Sequence, residues 1–175
     1  MDDDTQLALN NGGHTNLKLL FLVCDNIALN FRMDSDSFIQ TDIFEMLAEP
    51  IVAELLTLLS IGEDNYVKFT SEVLNPLVFE MVDRLNNDTY WIRLSNAILM
   101  KTRLEFPWQV RRAALQVILH LFSKMGQRCL VILTDIISFL SESLEDENPD
   151  VEFTAKEIVR RVESLTGESI QDYLK

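Results

Sequence analysis

Phe106-Pro107-Trp108-Gln109-Val110-Arg111-Arg112-Ala113-Ala114 opens a helix, and its reading decides the fold. Proline stands in the first turn, where its missing N–H costs no intrahelical bond and its fixed φ already suits a helix. Val110 is followed three and four positions on by Ala113 and Ala114 and seven on by Val117, which is one face of a 3.6-residue period. The same pattern stands 43 residues earlier in Asp64-Asn65-Tyr66-Val67-Lys68, with Thr70, Ser71 and Leu74 at the matching positions. It stands again 41 residues later in Asn148-Pro149-Asp150-Val151-Glu152, with Thr154, Ala155 and Ile158. Each copy begins on Asp, Pro or Asn-Pro, the residues that start helices.

A period in the low forties with two helices per unit is the signature of HEAT-type repeats, which stack side by side into a solenoid. The fold expected is therefore all-α, a HEAT/armadillo-type α-solenoid of antiparallel helix pairs with about seven helices. Such a stack offers a long surface rather than a pocket. Holding partners, rather than chemistry, is the function class it implies.

Outward from the central copy, the pattern predicts the remaining elements. Residues 1–13, with Asp2-Asp3-Asp4 and Asn10-Asn11-Gly12-Gly13, read as a flexible N-terminal tail, and residues 14–175 as the solenoid. A first helix is expected over about 14–32, with Leu17, Leu20, Phe21, Cys24, Ile27 and Phe31 at three-and-four spacing. A second covers about 39–60 and is kinked at Pro50. Gly62 then closes one helix and Asp64 caps the next. The third spans about 65–86 with Pro76 inside it, and the fourth about 89–103. The fifth runs from Phe106-Pro107 to Met125-Gly126. The sixth, about 127–145, should bury Leu130, Leu133, Ile136, Ile137, Leu140 and Leu144. An acidic turn, Glu145 to Asp150, precedes the seventh, about 150–165, which Gly167 ends, and Ser169 to Leu174 add a last turn.

Composition narrows the class further. The chain has 175 residues, is 47% hydrophobic and holds only five Gly and four Pro, which suits a short solenoid and not an all-β fold. No apolar run reaches the ~18–20 uncharged residues that span a bilayer, so no membrane partner is expected. The acidic start is opposite in charge to the first region of a signal peptide, and an intracellular protein is expected. Cys24 and Cys129 lie far apart without metal-ligand spacing and read as buried free thiols.

The net charge of −13 is unevenly spread. Residues 1–92 carry 4 basic and 16 acidic groups, and residues 129–175 carry 4 basic and 11 acidic. Between them, residues 93–128 hold 7 basic groups against Glu105 alone. This basic island either complements its acidic neighbours within the stack or marks an anion-binding face. The acidic flanks weaken long-range attraction of nucleic acid and favour the first reading.

No catalytic arrangement is present in the pattern: no phosphate-cradling glycine loop, no HExxH, no nucleophile elbow, and hence no expected catalytic, metal or cofactor site. His120 lies among apolar residues as an interior or edge residue. Glu145, Asp146, Glu147 and Asp150 lack the alternating ligands and central glycine of a calcium loop and read as a solvated turn near a helix N-terminus. Arg111 is expected to pair with an acidic turn residue of a neighbouring unit. Lys101, Arg103, Arg112, Arg160 and Arg161 are the candidates for contact with a partner or with RNA. Trp91 and Trp108 are expected to pack between repeats rather than to stack on bases.

From about residue 85 onward the chain resembles the end of the very large HEAT-repeat protein of the U3 small nucleolar RNA particle and small-subunit processome. The resemblance is carried, in order, by Leu99-Met100-Lys101-Thr102-Arg103, by Gln109-Val110-Arg111-Arg112-Ala113-Ala114-Leu115, by Phe139-Leu140-Ser141-Glu142-Ser143-Leu144-Glu145-Asp146-Glu147 with Val151-Glu152, and by Leu165-Thr166-Gly167-Glu168-Ser169-Ile170-Gln171-Asp172-Tyr173. It implies a non-enzymatic nucleolar scaffold acting in small-subunit ribosomal RNA maturation and linked to ribosomal DNA transcription, without a cofactor. Its partners would be other processome or U3 particle proteins, with pre-ribosomal or small nucleolar RNA as a second class. The chain would then be a C-terminal piece, and its first helix a cut edge able to drive non-native dimerisation. The alternative is a cytoplasmic HEAT-repeat adaptor or transport-factor module.

Overall fold

The computed structural model describes residues 19, 22–30, 32–33, 75–84 and 88–174. The expected tail, the helix over 39–60, the turn at Gly62 and the first repeat copy at Asp64 lie outside the described residues. Every described element is helical. After the helical residues 22–30 come α1 (Asn75–Arg84), α2 (Asp88–Leu99) with a 3-10 turn at Met100–Thr102, and α3 (Trp108–Met125). A longer 3-10 stretch, Gly126–Ile132, leads into α4 (Leu133–Leu144); α5 (Pro149–Thr166) and a last 3-10 turn, Gln171–Tyr173, complete the chain.

The helices form two layers. α1, α3 and α5 lie side by side, with α3 against α5 the most extensive interface, while α2 and α4 form the second layer. This is the all-α solenoid that the repeat implies. It also assigns each helix to a layer, which periodicity alone leaves open, because a helix sandwiched between neighbours is apolar on more than one side.

The repeat residues form the buried faces of α3 and α5. Val110, Ala113, Ala114 and Val117 of α3 and Val151, Ala155 and Ile158 of α5 are all fully buried, and Thr154 nearly so. Small residues three and four positions after the Val let neighbouring helices approach closely. Thr154 buries its hydroxyl at no polar cost, since Oγ1 donates to the Asp150 carbonyl at 2.7 Å.

The ends of these helices follow from their residues. The Pro107 carbonyl accepts the Val110 and Arg111 N–H groups at 3.0 and 3.1 Å. At α5 the Asn148 carbonyl does the same for Val151 and Glu152, and Asn148 Oδ1 accepts the Asp150 N–H at 3.0 Å. Gly126 and Gly167 close α3 and α5 at φ values of 57° and 74°. Gly167 donates its N–H to the Glu163 carbonyl at 2.8 Å, the C-cap bond that a left-handed residue makes.

The sixth helix departs from expectation. Residues 126–132 are 3-10 rather than α-helical, so side chains repeat every three residues and Cys129 and Ile132 fall on one edge. Both are buried, while Leu130 is only half-buried and Val131 is exposed. The buried line then continues through Ile136, Leu140 and Ser143; Leu133, Ile137 and Leu144, expected inside, are half-buried. The fourth helix likewise ends as α at Leu99, with residues 100–102 tightened into 3-10 and closed by Thr102 Oγ1 donating to the Leu99 carbonyl at 2.8 Å.

The helical run Trp108–Leu144 is long and apolar enough, by length and composition, to cross a membrane. Gly126 and the 3-10 stretch divide it into α3 and α4, which lie in different layers, and α3 carries the buried Arg111.

Candidate partner-binding site

Four of the seven cations in the basic island are neutralised by acids outside it. Arg111 forms a two-pronged pair with Asp146: Nε donates to Oδ2 and Nη2 to Oδ1, each at 2.7 Å. Its third nitrogen, Nη1, donates to the Phe106 carbonyl. Asp146 Oδ1 also accepts the Asn148 N–H at 2.9 Å. The side chains are only 10% and 1% exposed, so the pair is a buried, fully hydrogen-bonded clamp between the start of α3 and the turn before α5. This is the ion pair expected of Arg111 with a neighbouring acidic turn. In the third repeat copy the position holds Glu152, which pairs with Lys156 one turn on.

The other three are exposed or half-exposed. Arg112 lies 3.6 Å from Asp150, Lys124 lies 3.3 Å from Asp83, and Arg128 pairs with Asp88. Trp91 Nε1 also donates to Asp88 Oδ1, at 2.9 Å. That hydrogen bond, and then the one from Arg128, hold the Asp88 carboxyl below its ordinary range. The island thus serves mainly to complement its acidic flanks.

The five candidate contact residues do not converge. Lys101 is half-buried, with Nζ 4.6 Å over the Phe106 ring. Arg103 is exposed, and its guanidinium carbon lies 5.7 Å over the Phe139 ring. Arg112 is half-buried beside Asp150. Arg160 is exposed and pairs with Glu157; with the half-buried Arg161 it lines a shallow groove of about 450 Å³ between α3 and α5, beside Ser123 and Ser164. Lys101 and Arg103 instead follow α2, in the other layer.

Arg103 borders the larger of these grooves, about 750 Å³, between α2 and α4. One wall is the α2 face of Arg93, Asn96 and Ala97, continued by Met100 at the start of the 3-10 turn. The opposite wall is Thr134, Asp135, Ser138 and Phe139 of α4. The two walls were not singled out from sequence. Their signal is there: positions 93, 96, 97 and 100 are i, i+3, i+4 and i+7 on one helix face, and that face mixes Arg, Asn, Ala and Met where a purely solvated face would be charged.

The remaining candidates are structural. Trp91 is fully buried and Trp108 packs half-buried against the core. His120 stacks on Phe79, ring centroids 3.8 Å apart, with Nε2 3.5 Å from Asp83. Both thiols are free and buried; burial pushes Cys129 up to about 12 and Cys24 to about 11.

No family model matches the chain. It is 32% identical over 155 residues to HEAT repeat-containing protein 1 of Danio rerio, a match covering 89% of this chain and 7% of that protein. It is 33% identical over 143 residues to the Homo sapiens protein of the same name, covering 82% of this chain and again 7% of the relative. It is 30% identical over 164 residues to U3 small nucleolar RNA-associated protein 10 of Kluyveromyces lactis, covering 91% of this chain and 9% of the relative. The chain therefore spans less than a tenth of the length of these relatives. With its repeat helices, its layered stack and these matches along nearly its whole length, the chain belongs to the family of HEAT repeat-containing protein 1 and U3 small nucleolar RNA-associated protein 10.

Proposed function

We propose that this chain is the C-terminal HEAT-repeat portion of a small-subunit processome scaffold. It acts in pre-ribosomal RNA processing, is linked to ribosomal DNA transcription, works in the nucleolus and carries out no catalysis. In this reading residues 14–175 form the solenoid end and residues 1–13 a tail. The observation that carries it is the match to U3 small nucleolar RNA-associated protein 10 over nine-tenths of the chain. The alternative, a cytoplasmic adaptor or transport-factor module, draws no support from the names of the relatives.

The mechanism is that of a rigid surface. The Arg111–Asp146 clamp and the α3–α5 seam hold the repeats in one register, so that side chains on neighbouring helices present a fixed pattern to a partner. Proteins of the U3 particle are the first class of partner. RNA is the second, contacted through Lys101, Arg103, Arg112, Arg160 and Arg161. Pairing of Arg112 with Asp150 and Arg160 with Glu157 favours protein over RNA, because neutralised cations release fewer counterions from a phosphate chain. The exposed Leu22, Val23 and Leu29 of the helical residues 22–30 suit an edge that meets a preceding repeat, or a second copy when it is absent.

The test is a tagged pull-down from nuclear extract, with and without RNase, read by mass spectrometry. Recovery of U3 particle proteins in both conditions is the expected result. Recovery only without RNase moves the role to RNA contact. Recovery of neither removes the processome assignment.

A further inference from the structure

The groove between α2 and α4 combines three kinds of lining. Met100, exposed, and Phe139, half-buried, supply apolar surface together with Ala97. Asn96, Thr134 and Ser138 supply an amide and two hydroxyls. Arg103 supplies an exposed guanidinium held by a ring and by no ion pair among the described residues. Arg93 lies on the same wall, and Asp135 is the one carboxylate in the lining. In a chain of net charge −13, this is a groove whose own cations outnumber its acids.

We propose that this groove docks an acidic peptide segment of a partner protein. An apolar side chain of that segment lies on Met100 and Ala97, and a carboxylate meets Arg103. The proposal rests on the scaffold reading and names the face and the partner chemistry. Peptide is favoured over RNA on three grounds. The Phe139 ring already carries the Arg103 guanidinium, which leaves that face closed to a base. Asp135 stands in the lining, and its carboxylate repels a chain charged at every phosphate more than a segment that brings one carboxylate to Arg103. The acidic flanks repel a polyanion at long range but act weakly on a short segment once it is seated beside Arg103.

The test is selection of a phage-displayed random peptide library on the full 175-residue chain, compared with Arg103→Glu and Ser138→Trp. Both positions are exposed, so both variants should keep the parent's melting midpoint. The expected pool is rich in Asp and Glu interleaved with Leu, Ile or Phe. Affinity for a pool member should fall about tenfold with Arg103→Glu, as loss of one charge-assisted contact implies. Binding should vanish when Ser138→Trp fills the groove. No enrichment, a basic pool, or a pool indifferent to both variants overturns the proposal. So does a labelled oligouridylate that binds the parent and is lost with Ser138→Trp. The pull-down separates the two readings. U3 particle proteins recovered equally by the parent and Ser138→Trp leave the scaffold standing and remove the groove. An acidic pool with no U3 particle proteins leaves the groove and removes the processome.

Discussion

Arg111 and Arg103 lie eight positions apart in the same basic island, and the fold puts them to opposite uses. Arg111 is buried at the start of α3, with all three nitrogens bonded and a carboxylate partner across the repeat boundary. Arg103 stands in solvent at the mouth of a groove, against one aromatic ring. A guanidinium out of water must be fully paired, so Arg111 is committed to structure. One left in water is screened and contributes little to the fold, so Arg103 is not committed to structure as Arg111 is. Arg112 and Arg128 fall between them, paired but screened.

The contrast is broken most severely at the clamp. Arg111→Ala leaves Asp146 buried without its counter-ion and should cost about 3–5 kcal/mol, read as a lower urea midpoint. If the loss is no larger than for Arg112→Ala, burial does not separate the two arginines. Next comes the seam. Ala114→Leu forces a larger side chain into the core around α3 and should cost about 1–3 kcal/mol in the same assay, a test of whether the clamp or the close packing sets the register. Asn148→Ala removes the cap next to the clamp's acidic turn and should cost about 1 kcal/mol.

Two smaller effects sharpen the exposed side. Arg103→Ala should stay within about 0.5 kcal/mol of the parent, since it breaks no buried contact. Asp88 reports the intermediate case. Its carboxyl is held below the ordinary range by the Trp91 hydrogen bond first and Arg128 second. Its contribution is therefore present above the unfolded-state value and lost as pH falls through the lower folded value. A carboxyl-carbon NMR titration should give a depressed midpoint in the parent and a partly restored one in Arg128→Ala. An unchanged midpoint in that variant would leave Trp91 as the sole cause.

Much of this was legible in the residues. Three copies of one helix start made the fold readable, because apolar periodicity and end residues act locally: Pro107, Asn148, Gly126 and Gly167 sit at the helix ends where their backbone chemistry puts them. The same local logic pointed to Arg111 as an inter-repeat partner. It failed at residues 127–132, where a short link takes the tighter 3-10 spacing and brings Ile132 inside in place of Leu130, beside Cys129, whose burial was expected.

What the amino-acid sequence determined by itself is thus the helical class, the repeat, the ends of the central and last helices and the charge island. Those depend on neighbours within a turn or two. Only the tertiary structure decided the layer of each helix, which acid pairs with which cation and which candidate residues share a groove. Those depend on groups brought together from far apart in the chain, as Asp88 and Arg128 are from 40 positions, and no single-helix pattern encodes that meeting. The five candidates looked alike as a list of cations. Packing across the α2–α4 and α3–α5 boundaries is what set Arg103 at the mouth of a groove and tied Arg112 to Asp150.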